Sequence, residues 1–132
     1  MKIRTEQKVG QVPVTVFHIE GDLTAAHSRD LQQQAEEAYA GGARNMLLDL
    51  SRVPFMDSAG LRAVHAIYML LRGEASEESE QAVRKGIAAG TYKSQHLKLL
   101  KPNGNVTQAL KMAGFDMFLE VHSNLKKAVA SF

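Results

Sequence analysis

The segment DLSRVPFMDSAGL, residues 49–61, decides how this chain is read. It leaves an apolar run, passes through a tight connection and closes on Asp57-Ser58-Ala59-Gly60, where Asp and Ser are common helix caps. The run it leaves, NMLLDL at 45–50, is too compact to alternate and predicts a strand covered on both faces, the centre of a sheet. Beyond it, Leu61, Val64, Tyr68 and Leu71 form one stripe with Ala63, Ile67 and Leu70 beside it, which predicts a well-buried helix. Strand, turn and helix in this order make one unit of an alternating α/β fold, and the turn sits at the carboxyl end of the strand, where sites tend to collect.

The same alternation extends both ways. Upstream, VPVTVFHIE at 12–20 puts Val12, Val14 and Val16 on one face of a strand and Phe17 and Ile19 on the other. MKIRTEQK supplies a partner strand, with a turn at Gly10-Gln11. From Thr24 to Tyr39, Leu31, Ala35, Ala38 and Tyr39 follow helical spacing, and Gly41-Gly42 supplies the stop. Downstream, LKLL at 97–100 reads as an apolar strand, and Lys101-Pro102-Asn103-Gly104-Asn105 is turn chemistry that offers an Asn cap. Val106, Leu110 and Ala113 predict a short helix ended by Gly114, and FLEV at 118–121 predicts a last strand. Ser123 is the expected cap of a closing helix that has Leu125, Ala128, Val129 and Phe132 on one side.

Composition bounds the function. The chain has 132 residues, 16 Lys+Arg against 14 Asp+Glu, five His and no Cys. That length suits one domain, 1–132, with a core that needs no disulfide or metal. Without Cys there is no disulfide framework and no thiolate metal site. No stretch approaches a membrane span, and MKIRTEQKVG lacks the apolar stretch of a secretion signal, so the cytoplasm is the expected compartment. Residues 73–92 stand apart: Glu74, Glu77, Glu78 and Glu80 face only Arg84 and Lys85, and an acidic, solvated insertion is expected. Setting those four acids and two bases aside raises the formal net charge from +2 to +4. The bases are dispersed, so no direct nucleic-acid partner is expected.

Catalytic signatures are missing. His18, His27, His65, His96 and His122 fall on five elements without metal-ligand spacing, so no metal is expected. His65 reads as a hydrogen-bonded surface or boundary residue, and Asp49 and Asp57 as capping or solvated acids at element ends. There is no phosphate-cradling Gly-rich loop and no nucleophile elbow. The remaining candidate is Ser58, in the first turn of a helix, near unpaired backbone N–H groups and the positive end of the dipole. One reading is a cap. The other is a phosphoacceptor whose added charge a helix N-terminus tolerates.

DLSRVPFMDSAGLRAV, with Glu20-Gly21-Asp22-Leu23 before it, resembles the STAS domain of anti-sigma factor antagonists and sulfate transporters. The stretch LKLLKPNGNVTQALKMAGFDMFLEVHSNLKKAVA is similar to the carboxyl half of that family. The resemblance covers nearly the whole chain except 73–92, where a compact member would need only a short loop. It implies an α/β fold with a mixed, mostly parallel sheet of about five strands flanked by about four helices. It also implies a non-enzymatic binding module without a cofactor, monomeric or weakly dimeric. Ser58 would be the phosphorylated serine, and Asp22, Leu23, Thr24, Asp57, Ser58, Ala59, Gly60, Leu61 and Arg62 the partner-binding surface. The implied partners are an anti-sigma-type serine kinase of histidine-kinase-like ATPase fold, bound when Ser58 is unphosphorylated, and a PP2C-type, metal-dependent phosphatase. Two other roles fit the same family: a subunit of a lipid ABC transporter assembly, and a nucleotide-sensing STAS domain.

Overall fold

The computed structural model describes residues 2–72 and 93–132. Five strands form one sheet in chain order: β1 (Lys2–Val9), β2 (Pro13–Glu20), β3 (Met46–Arg52), β4 (Leu97–Leu100) and β5 (Glu120–His122). β1 is antiparallel to β2, and every other neighbouring pair is parallel. The described α-helices are α1 (Ser28–Ala40), α2 (Ser58–Arg72), α3 (Gly104–Met112) and α4 (Leu125–Ala130). This is the mixed, mostly parallel α/β architecture that the family resemblance implies, built from the strand–helix alternation of the sequence. The acidic insertion at 73–92 lies outside the described residues.

β3 is central and covered on both sides, as its unbroken apolar run requires. Met46, Leu48 and Leu50 face α1, α2 and α3, where they meet Leu31, Val64, Ile67 and Leu110. Leu47 faces the other way, with Val14, Val16 and Leu100, under Ala128 and Val129 of α4. β2 divides as its alternation predicts, with Phe17 and Ile19 on the first face and Val14 and Val16 on the second. The predicted stripe of α2 is buried at Ala63, Val64, Ile67, Tyr68 and Leu71. Leu61 and Leu70 are half-buried at its margin.

Several boundaries differ from the sequence expectation. α1 begins at Ser28 rather than Thr24, because the Thr24 carbonyl accepts the amides of His27 and Ser28 at 3.0 and 2.8 Å in a separate turn. The last strand is Glu120–His122 rather than 118–121. Residues 115–117 instead form a 3-10 turn that buries Phe115 and follows Gly114, whose φ of 79° is the left-handed conformation glycine adopts freely. Ala113, expected on the apolar face of α3, is an exposed C-cap. The cap of α4 is Asn124 and not Ser123: Asn124 has the extended backbone of a cap, and its side chain accepts from the Lys127 amide at 2.9 Å.

Lys98 is the polar exception in LKLL. It is 3% exposed, and its Nζ donates to Ser131 O at 2.9 Å and Ser131 Oγ at 3.0 Å, and lies 3.1 Å from Glu120 Oε2. A buried cation is tolerated when its donors are used in this way.

Candidate functional site

The parallel register carries β3 out at the carboxyl edge of the sheet, where the chain must turn into α2. Val53 N closes the first bend onto Leu50 O at 3.1 Å, and Val53 and Met56 turn inward, 1% and 4% exposed. Met56 pairs with Leu23 in an isolated parallel bridge, so the loop after β2 lies directly against the loop after β3. Leu23 N donates to Phe55 O at 2.9 Å, and Asp57 N donates to Leu23 O at 3.3 Å. The two segments singled out in the sequence, 22–24 and 57–62, are therefore brought together.

Gly60 makes this approach possible. A Cβ at that position would stand 2.3 Å from Leu23 O and 2.7 Å from Met56 Cγ, so any larger residue would push the 22–24 segment off the helix. Leu23 is fully buried and Gly60 is buried, which places both beneath the surface rather than on it. Asp22, Ser58 and Arg62 are exposed, and Thr24, Asp57, Ala59 and Leu61 are half-buried. These seven form the outward part of the expected set.

The first turn of α2 separates the two readings of Ser58. Asp57 is the cap: its Oδ1 accepts from Ala59 N at 2.9 Å and from Gly60 N at 3.0 Å. The Leu61 amide then bonds the Asp57 carbonyl at 3.0 Å, and the helix continues. Capping thus falls to the aspartate, and the Ser58 side chain faces solvent at the positive end of a 15-residue helix.

The sequence pattern missed two residues here. The sequence offers an Asn cap within 101–105, and the structure selects Asn103, whose Oδ1 accepts from Val106 N at 2.8 Å. Its Nδ2 also donates to Val53 O at 3.2 Å and Pro54 O at 3.1 Å, tying the turn before α3 to the Ser58 loop. Phe55, inside the segment that opened the reading, is 50% exposed. An aromatic residue next to Pro in a loop was the available signal for Phe55. The second role of Asn103 joins residues 50 apart and has no local signature.

A second group of titratable side chains lies on the face away from α2. Asp49 is inside β3, not at its end. His18 Nδ1 is 2.6 Å from Asp49 Oδ2, and His18 Nε2 is 3.1 Å from Glu6 Oε1, so one imidazole bridges three strands. Burial pushes the Asp49 carboxyl up, but hydrogen bonds from Ser51 and His18 outweigh it and hold it below the usual carboxylate range. The His18 hydrogen bond likewise lowers Glu6, with Lys8 and Arg4 nearby. His65, by contrast, is exposed on α2, stacked against Phe115 with ring centroids 6.2 Å apart. Among the described residues, no group of three or more His, Asp or Glu is placed to hold a metal ion. No helix among them is long and apolar enough to cross a membrane.

Comparison with solved structures places this arrangement among similar folds. A protein described as an anti-sigma factor antagonist from Thermotoga maritima superposes with a TM-score of 0.69 at 16% identity, covering 94% of this chain and 90% of the other. An anti-sigma factor antagonist from Mycobacterium paratuberculosis gives 0.67 at 17% identity, covering 98% and 93%. The phosphorylated form of the Bacillus cell fate determinant SpoIIAA gives 0.66 at 16% identity, covering 97% and 96%. No curated protein matches the sequence. The family described as "Mlab, STAS domain" matches residues 7–121, a span that runs from β1 into β5 and includes the whole Ser58 turn. The chain belongs to the STAS domain family.

Proposed function

We propose that this protein is a regulatory binding module switched at Ser58. Unphosphorylated, it binds an anti-sigma-type serine kinase through Asp22, Thr24 and the exposed start of α2. Phosphorylation of Ser58 by that kinase ends the contact, and a PP2C-type phosphatase restores it. Catalysis and the ATP site belong to those partners. The observation that carries this reading is the division of labour in the first turn of α2: Asp57 satisfies the backbone amides, and the Ser58 hydroxyl is left in solvent. The fold it shares with SpoIIAA is one in which phosphorylated and unphosphorylated forms both exist for that protein.

The chemistry of the switch follows from charge. A phosphoryl group brings about −1.5 to −2 charges to a helix N-terminus, where anions are tolerated, so the fold survives modification. A docked partner covers the same spot, and the dianion must then be desolvated or repelled. A penalty of about 3 kcal/mol lowers affinity more than a hundredfold.

Ser58→Asp should therefore abolish binding to the cognate kinase in a calorimetric titration, and Ser58→Ala should bind constitutively. Acidic variants that bind as tightly as wild type would refute the switch. Mass spectrometry of the protein from its own cells separates the two classes of partner. Phosphoserine at 58 supports the module, and a copurifying transporter ATPase with unmodified Ser58 supports a transporter subunit instead.

A further inference from the structure

Phe55 is anomalous for a residue in so constrained a loop. Its neighbours Val53 and Met56 are buried, yet its ring is half exposed. The backbone that carries it is held from two sides. Asn103 grips the carbonyls of Val53 and Pro54 at 3.2 and 3.1 Å, and the Leu23 amide grips the carbonyl of Phe55 itself at 2.9 Å. All three bonds use backbone carbonyls of the loop, so they fix the backbone that carries the ring without covering the ring. Val9 and Met112 are more exposed, at 78% and 81%, but they end a strand and a helix.

A clamped loop that presents an aromatic ring has the properties of a binding anchor. Burying the ring against a partner removes apolar area from water, and the fixed backbone lowers the ordering cost of doing so. Anchors of this kind sit within a polar rim that excludes water. The segment carrying Phe55 lies between the Asp22–Thr24 loop and the Asn103-Gly104-Asn105 turn, with Ser58 three residues on.

We propose that Phe55 is the apolar anchor of the Ser58 surface. It enters a hydrophobic pocket on the same protein partner that reads Ser58, and Asn103 is the positioning residue that holds it in docking geometry. This rests on the reading of Ser58 given above. The occupant is a folded protein whose pocket takes a phenyl ring beside a surface that rejects a dianion.

The test uses the full chain in its own cells, with a photo-crosslinking amino acid placed at position 55 or, separately, at position 62. The same protein should be captured from both positions and identified by mass spectrometry. With that protein purified, Phe55→Ala should weaken binding about 30-fold or more, and Phe55→Leu should recover much of the loss, with thermal unfolding little changed. Asn103→Asp keeps the acceptor that caps α3 and removes the donor that clamps the loop. It should weaken binding about tenfold in the wild-type background and have no further effect in Phe55→Ala, a coupling that a purely structural role would not produce. Capture from 62 without 55, or binding by Phe55→Ala within about threefold of wild type, overturns the anchor and leaves the Ser58 reading standing. Capture from neither position removes that reading and the anchor together.

Discussion

Leu47 and Leu48 are neighbours in β3, chemically identical and both fully buried, yet they serve opposite faces of the sheet. Leu48 packs in the cluster shared with α1, α2 and α3. Leu47 lies under α4, which has six residues. On the first face apolar packing continues to the carboxyl edge of the strands, through Leu50, Val53 and Met56, and there it supports the Ser58 loop. On the second face the apolar patch ends, along β3, at Leu47, and two residues on Asp49 joins His18 and Glu6 in a polar chain. A broad helical layer can bury a surface up to its rim. A short helix cannot, and the remaining strand positions are satisfied by hydrogen bonds instead. The candidate site stands on the thick face, where a fixed loop geometry is easiest to maintain.

The most direct way to break this contrast is to truncate both leucines. Leu48→Ala should cost about 4 kcal/mol and Leu47→Ala about 3 kcal/mol, since the smaller cover can settle into the cavity more readily. Urea denaturation at equal slope measures both, and equal losses would mean that α4 packs as rigidly as the larger layer. Asp57→Ala comes next, with an expected loss of about 1 kcal/mol from the missing cap. Asp57→Asn keeps an acceptor and should lose little of it. A loss in Asp57→Ala that is indistinguishable from zero would mean that the hydrogen bonds to Ala59 and Gly60 are not what starts α2.

The smallest effect belongs to the polar face and depends on pH. The folded-state pKa of Asp49 lies below its unfolded value of about 3.9, so its contribution is present above that value and is lost as pH falls through the folded pKa. Wild type should therefore lose stability more steeply than Asp49→Asn as the pH falls below about 5. Melting curves taken across that fall in pH check the difference, and parallel curves would show that the ionised Asp49 carboxylate adds nothing.

Much of the fold was legible because each element repeats its own period. The alternation in β2 and the stripe of α2 announce which side chains are inward, and neither depends on distant residues. The boundaries were less legible. Ser123 and Asn124 are both good caps, and only the backbone conformation selects Asn124. Phe118 and Leu119 have strand propensity, but their amides both donate to the carbonyl of Phe115 at the end of the 3-10 turn, which delays the strand to Glu120. Lys98 sits in an apolar run because its partners come from Glu120 and Ser131. At the site, Asp57 and Ser58 could be picked out by type. Which of the two caps the helix was a question of geometry, and the burial of Leu23 and Gly60 could be read only once the two loops were seen to touch.

The clamp from Asn103 has a consequence for the order in which the protein becomes competent. The strands lie in the sheet in the order in which they occur in the chain, so β1, β2, β3 and α2 can assemble while the remainder is still being synthesised. Leu23 and Gly60 are then already in hand, and Ser58 can already be presented. Asn103 emerges later, with the turn after β4. A nascent chain can thus present Ser58 before the adjoining loop is fastened, and only the finished chain holds both together.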